Sequence, residues 1–218
     1  MTLLSKFLSF FPTLTLSLAT VSLAYGIWEH SLWSVLLCLF FLYGFPILSY
    51  RIHSSVYPLE HGISYLQGSD YSPWWGSHQF QLIYIAFPAL ETVLRLVPGV
   101  FSLWLRLWGA NIGKQVYWTP ALEIADRGLL TIGDGVVFGH RVGMYSHIVK
   151  PRRDNLMLYL KPVTIGDGSF IGAGSYIGPG ALITAGSYLE AGSEIYPNST
   201  VNRAEEHSAE GKNHGLAD

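Results

Sequence analysis

Eight histidines are spread over the 218 residues, and the imidazole, with an ordinary pKa near 6.5, is the side chain best placed to take a proton at neutral pH. His30, His53, His61 and His78 lie in a strongly apolar first half, and His207 and His214 in a polar tail. His140, in Gly139-His140-Arg141, and His147, in Tyr145-Ser146-His147-Ile148, stand in a glycine-rich second half. Directly after His147 comes Lys150-Pro151-Arg152-Arg153-Asp154-Asn155, and with Lys161 this brings four basic residues close in sequence to one histidine. The planar fork of arginine suits phosphate; the bland alternative is a solvated loop. A catalytic zinc needs three protein ligands and one open position. Two histidines fall short of that, and the single cysteine, Cys38, excludes a Cys-rich site and an intrachain disulfide. No metal is expected.

The element that must position these residues has a period of six. Ile165, Ile171, Ile177, Ile183, Leu189, Ile195 and Val201 follow one another at that spacing without exception. Ile112, Trp118 and Ile124, then Ile132, Phe138 and Met144, keep it earlier in the chain. The step from Ile124 to Ile132 is two residues too long, which predicts a bulge. The step from Met144 to Ile165 is longer still, which predicts an excursion over residues 150–161. A strict period of six fits neither a helix of 3.6 residues per turn nor a half-buried strand. It fits a prism of short strands with the aliphatic residue pointing inward and small residues at the corners. Three sides make a coil of about 18 residues that needs neighbours above and below. Spacing alone leaves the handedness open. One coil back from His147, allowing for the bulge, lies Asp126-Arg127, so Asp126 is a candidate to orient the imidazole; otherwise it is a turn residue.

The run Ile165-Gly166-Asp167-Gly168-Ser169-Phe170-Ile171-Gly172-Ala173-Gly174 resembles the hexapeptide-repeat acyltransferases, over about residues 109–202. The apolar helix running into Gly109-Ala110-Asn111-Ile112-Gly113 is similar to the entry of membrane-associated, glycan-modifying members. It is also similar to the membrane-embedded C-terminal regions of some peptide synthetases. The resemblance implies a left-handed parallel β-helix, usually a homotrimer with its active site between subunits. It also implies an acyl group, most often acetyl from acetyl-CoA, passed to a hydroxyl or amine, with one histidine as general base. In the family that histidine stands beside a protruding loop, which favours His147 over His140. Cofactor contact by Lys150, Arg152, Arg153 and Lys161 through phosphates, and by Gly172, Ala173 and Ala185 along the pantetheine arm, is likewise what the resemblance implies. A backbone N–H at a coil corner would stabilise the oxyanion.

The first half has different physics. Half of all residues are hydrophobic and 13% are charged, against about 25% in soluble domains, and mean hydropathy is +0.30. Only eight of the charged residues precede residue 111, while 16 of the 23 glycines follow residue 110. Phe7 to Ile27 and Ser31 to Tyr50 carry no charge, and each reaches the roughly 20 residues that cross a bilayer core. Split by Trp28-Glu29-His30, they read as a transmembrane helical hairpin over residues 1–54. A cleaved signal peptide, ending at Ser22-Leu23-Ala24, is the weaker reading because a second span follows at once. Lys6 and Arg51 flank the pair, so both ends and the β-helix are expected on the cytoplasmic side, with a bacterial inner membrane as the natural setting.

Residues 55–108 are expected to be a connector with interfacial helices. Pro88 and Pro98-Gly99 break it, and Phe101, Trp104, Leu105 and Trp108 are assigned to the headgroup plane around a snorkelling Arg106; packing on the following domain is the alternative. Trp74-Trp75 is a weaker candidate for the same interface. The tail, 203–218, lacks the period and should fray. A net charge of −2 offers no reason to expect nucleic acid. The expected activity is therefore acyl transfer from acyl-CoA to a glycan or lipid-linked acceptor at a membrane. The alternative is a non-catalytic trimeric β-helix scaffold, which retention of His147 disfavours.

Overall fold

The structure, a computed structural model, describes residues 2–202. The tail 203–218, with His207 and His214, lies outside the described residues. The chain divides into two compact units, one of residues 1–87 and 149–159 and the other of 88–148 with the remainder from 160. The expected connector over 55–108 is thus split at residue 87, and the stretch from Pro88 onward belongs with the repeat.

In the first unit, α1 (Leu3–Leu8) and α2 (Phe11–Trp28) lead to α3 (Leu32–Leu39). A π-helical turn, Phe40–Gly44, continues into α4 (Phe45–Val56). Pro12 sits in the first turn of α2, where its missing N–H costs nothing; Pro46 follows the π-helical turn inside a continuous helix, and the carbonyl four positions back, Leu42, is met by a tyrosine hydroxyl instead. The segments Leu3–Trp28 and Leu32–Val56 are each long and apolar enough to cross a membrane. Much of their packing runs through small residues, with Phe11 and Tyr50 the large rings inside. Thr15, Ala19, Ser22, Gly26, Ser34 and Cys38 are buried, while Phe7, Val21, Ile27, Trp28, Leu32 and Trp33 are exposed. Small residues at i, i+4, i+7 and i+11 of α2 let the backbones approach; a Cβ on Gly26 would stand 3.1 Å from Ser34 Cβ.

The same unit contains α5 (Pro73–Ala86). Its Phe80 ring meets Phe11 edge-on at 4.7 Å, and Tyr84 donates to the Leu42 carbonyl at 2.6 Å. Trp74, expected at a membrane interface, is buried instead, and Trp75 Nε1 donates to the Ser5 carbonyl. The excursion is a hairpin of His147–Arg152 and Asn155–Leu160, paired in one sheet with Gly62–Tyr65. Arg153 takes the left-handed turn position.

The second unit realises the six-residue period as three parallel sheets. Phe170 pairs with Tyr188, Tyr176 with Glu194 and Leu182 with Thr200, always 18 positions on. Ile112, Ile132, Ile165, Ile183 and Val201 rise along one face. Phe138, Ile171 and Leu189 rise along the second, and Ile124, Met144, Ile177 and Ile195 along the third. Both predicted irregularities are present. Ile112 pairs with Ile132, 20 positions on, because two residues bulge after Ile124. Ile132 pairs with Ile165, 33 on, because the hairpin leaves the coil.

Ile165, Ile171, Ile177 and Ile183 are at most 1% exposed, and burial of each such side chain stabilises by roughly 1.5–3 kcal/mol. Ile195 and Val201 are half-buried, because no described coil covers the last one. Ser169 and Ser175, also buried, donate their hydroxyls to the Gly166 and Gly172 carbonyls at 2.8 Å, so the inward corners carry no unmet donor. Corner spacing demands glycine at Gly166: a Cβ there would come 2.5 Å from the Ala185 nitrogen of the next coil.

Helices α6 (Ala89–Arg95) and α7 (Val100–Leu107) precede the first coil, broken apart at Pro98-Gly99 as expected. The interfacial assignment of α7 is corrected. Phe101, Trp104, Leu105 and Trp108 are all buried. Phe101 meets the Trp118 ring edge-on at 5.2 Å, and Trp118 in turn stacks on Phe138 at 4.8 Å. Arg106 does not snorkel: its Nε and Nη2 donate to the Ile112 and Gly113 carbonyls at 2.9 and 2.7 Å. The open first coil needs an apolar cover, and these rings supply it. Leu103 and Leu107 form the exposed face instead.

Glu91 locks this cap in place. Its Oε1 accepts from Arg127 Nε at 2.6 Å and from Trp104 Nε1 at 3.0 Å, and its Oε2 accepts from Arg127 Nη2 at 2.9 Å. Glu91 and Arg127 are 3% and 1% exposed.

Two stability outcomes follow, to be read by denaturant unfolding of the full chain in mild detergent. Ile171→Ala should cost about 2–5 kcal/mol, as a buried large-to-small change does, and Val201→Ala clearly less. Glu91→Gln, which strands the buried Arg127 charge, should cost about 3–5 kcal/mol.

Candidate active site

The two-residue bulge determines where Asp126 stands. Ala125 N is bonded to the Met144 carbonyl, so the chain keeps its parallel register up to that point. It then turns through Asp126-Arg127-Gly128 before re-entering a strand at Leu130–Ile132. On the next coil, His147 follows Met144 by three positions. Its neighbour Ser146 is pinned twice: its Oγ donates to the Leu129 carbonyl at 3.0 Å, and its own carbonyl accepts from Lys161 N at 2.9 Å.

The result is a hydrogen bond of 2.6 Å between His147 Nδ1 and Asp126 Oδ2. Asp126 is 2% exposed and the His147 side chain 18% exposed. An ionised carboxylate can only accept, so Nδ1 carries the proton and, in the neutral ring, Nε2 carries the lone pair. Such a pairing holds the ring in one orientation and steadies the imidazolium once Nε2 has taken a proton.

His147 lines a cleft of about 370 Å³ together with Tyr145, Tyr176, Pro179, Glu194 and Tyr196. Tyr145 and Tyr176 stack at 6.1 Å. Burial, reinforced by the Glu123 carboxylate beside it, pushes the Tyr145 phenol well above its ordinary pKa, so it stays a neutral hydroxyl at physiological pH. An imidazole fixed by a buried carboxylate in a cleft with aromatic walls is equipped to deprotonate an incoming hydroxyl or amine.

The other sequence-derived candidates fall elsewhere. His140 is exposed at the corner after Phe138, where its carbonyl accepts from Gly174 N, and it does not line the His147 cleft. Gly172, Ala173 and Ala185 occupy corners following Ile171 and Ile183 and do not line that cleft either. Lys161 belongs to the second unit, where its Nζ donates to Asn198 Oδ1 at 2.9 Å. Lys150, Arg152 and Arg153 are exposed on the hairpin of the first unit.

Sequence reasoning missed Glu91 and Arg127. Glu91 with Arg95 reads as an ordinary i, i+4 helix pair, and nothing local links Glu91 to a residue 36 positions later. It also missed Tyr145, Tyr176 and Tyr196. Tyr176 precedes an inward aliphatic by one position and could have been placed outward from the period alone.

Residues 162–197 match a family model described as bacterial transferase hexapeptide, six repeats, which is two full coils of this chain. No curated protein matches the chain. Among solved structures it is similar to a hexapeptide-repeat-containing acetyltransferase from Vibrio cholerae complexed with acetyl coenzyme A. Identity there is 17% over 62% of this chain and 88% of that one, with a TM-score of 0.43. A maltose O-acetyltransferase from Clostridium difficile is similar at 19% identity over 54% and 82%, with a TM-score of 0.32. A serine acetyltransferase from soybean, complexed with serine, is similar at 21% identity over 77% and 72%, with a TM-score of 0.31. The stacked, parallel, 18-residue coils and the matched stretch agree on one point: in its second half this chain resembles the hexapeptide-repeat transferases.

Proposed function

We propose that the chain is a membrane-anchored acyltransferase that moves an acyl group, most simply acetyl, from acyl-CoA to a hydroxyl or amine of a glycan or lipid-linked acceptor. The observation that carries this reading is the 2.6 Å contact between His147 and the buried Asp126, inside a hexapeptide repeat. His147 Nε2 takes the acceptor proton as the acceptor oxygen or nitrogen attacks the thioester carbonyl. The tetrahedral intermediate collapses with cleavage of the C–S bond, and the proton passes from the imidazolium to the departing CoA thiolate. Atoms and charge balance without a metal. A positioned base of this kind is worth about 10²–10⁴-fold in rate. Asp126 is the positioning residue, and His140 is the second candidate for the base.

In this reading the coil is left-handed and the protein a homotrimer. Phe170, Tyr176, Leu182 and Tyr188, exposed on the outer faces, are the sort of apolar surface that a neighbouring subunit covers. Gly172, Ala173 and Ala185 then line the CoA groove from a neighbouring chain, with Lys150, Arg152, Arg153 and Lys161 meeting CoA phosphates. Two long apolar helices with small polar residues inside and large apolar residues outside support the anchor, since helices in lipid pack through small residues. Lys6 and Arg51 put the β unit on the cytoplasmic side, in a bacterium at the inner membrane. Anchoring raises the effective concentration of a membrane-bound acceptor without further contacts.

Transfer of labelled acetyl from acetyl-CoA into lipid and glycan fractions of membranes containing the protein tests this. His147→Ala should lower transfer by about 10²–10⁴-fold. Asp126→Asn should lower kcat by roughly tenfold or more, and by less than His147→Ala, with the KM for acetyl-CoA little changed. Full transfer by His147→Ala would move the base to His140. No transfer by the wild type with acetyl-CoA or longer acyl-CoAs would leave the scaffold.

A further inference from the structure

Arg95 is a buried cation with too few partners. Its side chain is 2% exposed. Its Nη2 lies 3.4 Å from the Leu122 carbonyl and 3.7 Å from Glu91 Oε2, yet Glu91 already holds a two-point pair with Arg127 and a bond from Trp104. Its Nε and Nη1 are buried without a hydrogen-bond partner. The guanidinium lies over the Phe101 ring at 4.2 Å, a contact made by its flat face that leaves the in-plane N–H groups unused. Burial and the neighbouring Arg127 both work against its charge, and Glu91 alone opposes them. One carboxylate, Glu91, is shared between two guanidiniums.

Arg95 lines a cleft of about 540 Å³ in the second unit, joined there by Arg106 and Lys114. No acidic residue is among the lining residues, and much of the wall is apolar: Val97, Pro98 and Trp118. Leu96 and Val97, next to Arg95 in the chain, are 73% and 55% exposed. Three cations in a lining that itself contains no carboxylate fit an anion of more than one charge, and guanidinium geometry suits phosphate oxygens. Apolar walls and exposed aliphatic residues fit a ligand whose anion is carried on a hydrocarbon body.

We propose that this cleft binds the phosphate headgroup of an anionic lipid, with buried Arg95 as the central ligand and Lys114 at the rim. It shares no residue with the His147 cleft, so the proposal does not rest on the acyltransferase reading. A bound phosphate would give Arg95 the partners that the chain withholds.

The test is calorimetric titration of the full chain, purified in a neutral detergent, with dihexanoyl phosphatidic acid, dihexanoyl phosphatidylcholine and inorganic phosphate. Phosphatidic acid should bind at least about tenfold more tightly than either of the others. Arg95→Gln should weaken it by about tenfold or more, the scale of a lost charge-assisted bond. Lys114→Gln, a change at an exposed position, should weaken it by roughly threefold and keeps the test open if Arg95→Gln does not fold. His147→Ala should bind as the wild type does, whatever its transfer activity. Undiminished binding by Arg95→Gln would overturn the proposal, and so would absence of binding by the wild type. If Arg95→Gln does not fold, undiminished binding by Lys114→Gln would overturn it. Equal affinity for inorganic phosphate would overturn the lipid source, and displacement by coenzyme A would assign the cleft to the acyl donor.

Discussion

Backbone hydrogen bonding along the coil axis is the constraint on which the second unit depends. A two-residue strand such as Phe170–Ile171 has no ladder of its own. Its groups are met by the coils on either side, where Phe170 N donates to the Ser187 carbonyl and the Ile171 carbonyl accepts from Gly139 N. Every coil must therefore be the same size as its neighbours, and the inward residue must recur in register. That is why the aliphatic position holds without exception while the outward position before it varies from Phe170 to Tyr176 to Glu194. It also explains why extra residues leave the coil altogether. A two-residue surplus bulges after Ile124, and a longer one becomes a hairpin after Met144, but Ile132 and Ile165 still fall directly over Ile112.

The candidate site occupies the places where that rule is broken. Asp126 sits on the bulge, and His147 where the chain departs into the hairpin. A residue kept in strict register points either into the prism, where it is dry and aliphatic, or outward into solvent. Only an irregular segment can bury a carboxylate and aim it at a residue of the next coil. The same bulge contributes Arg127, adjacent to Asp126, to the Glu91 pair. One turn thus carries two buried charges of opposite sign, each with its own partner: Asp126 with His147, and Arg127 with Glu91 on α6. Taking the Arg127 charge out of water is costly, and what it secures is a fixed bulge.

Much of this was legible before any coordinates. Period, coil length, the bulge and the excursion are counting problems, and the Asp126–His147 pairing followed from counting one coil back. The cap was not legible. Phe101, Trp104 and Trp108 beside Arg106 present the same pattern whether the apolar face meets lipid or the open end of a prism. Only the need to cover Ile112 and Trp118 decides between them. The Glu91–Arg127 pair was invisible for a different reason: ion pairs between distant segments leave no periodic trace. The first unit was half legible. Span lengths and proline positions could be read, but the burial of Trp74 depends on how α5 packs.

The two units differ in what they bury. In the coil, apolar residues point inward, and buried serines are consumed by corner carbonyls, as Ser169 and Ser175 are. Between α2 and α3 of the first unit the contact runs through Ser22, Gly26, Ser34 and Cys38, with Phe7, Val21, Ile27, Trp28, Leu32 and Trp33 exposed, while Phe11, Phe80 and Tyr84 form a buried aromatic cluster beside them. In water that arrangement would expose the surface that most needs burial and bury the surface that least does. In hydrocarbon the outward residues cost nothing, and close backbone approach through small residues becomes the attraction that remains. That contrast is what the proposed membrane anchor rests on, beyond the length and hydropathy of the two segments. Along Leu32–Val56 the exposed side chains include Leu32, Trp33, Leu48 and Ile52, while Ser34 and Cys38 are buried, with Tyr50 the large ring that joins them inside.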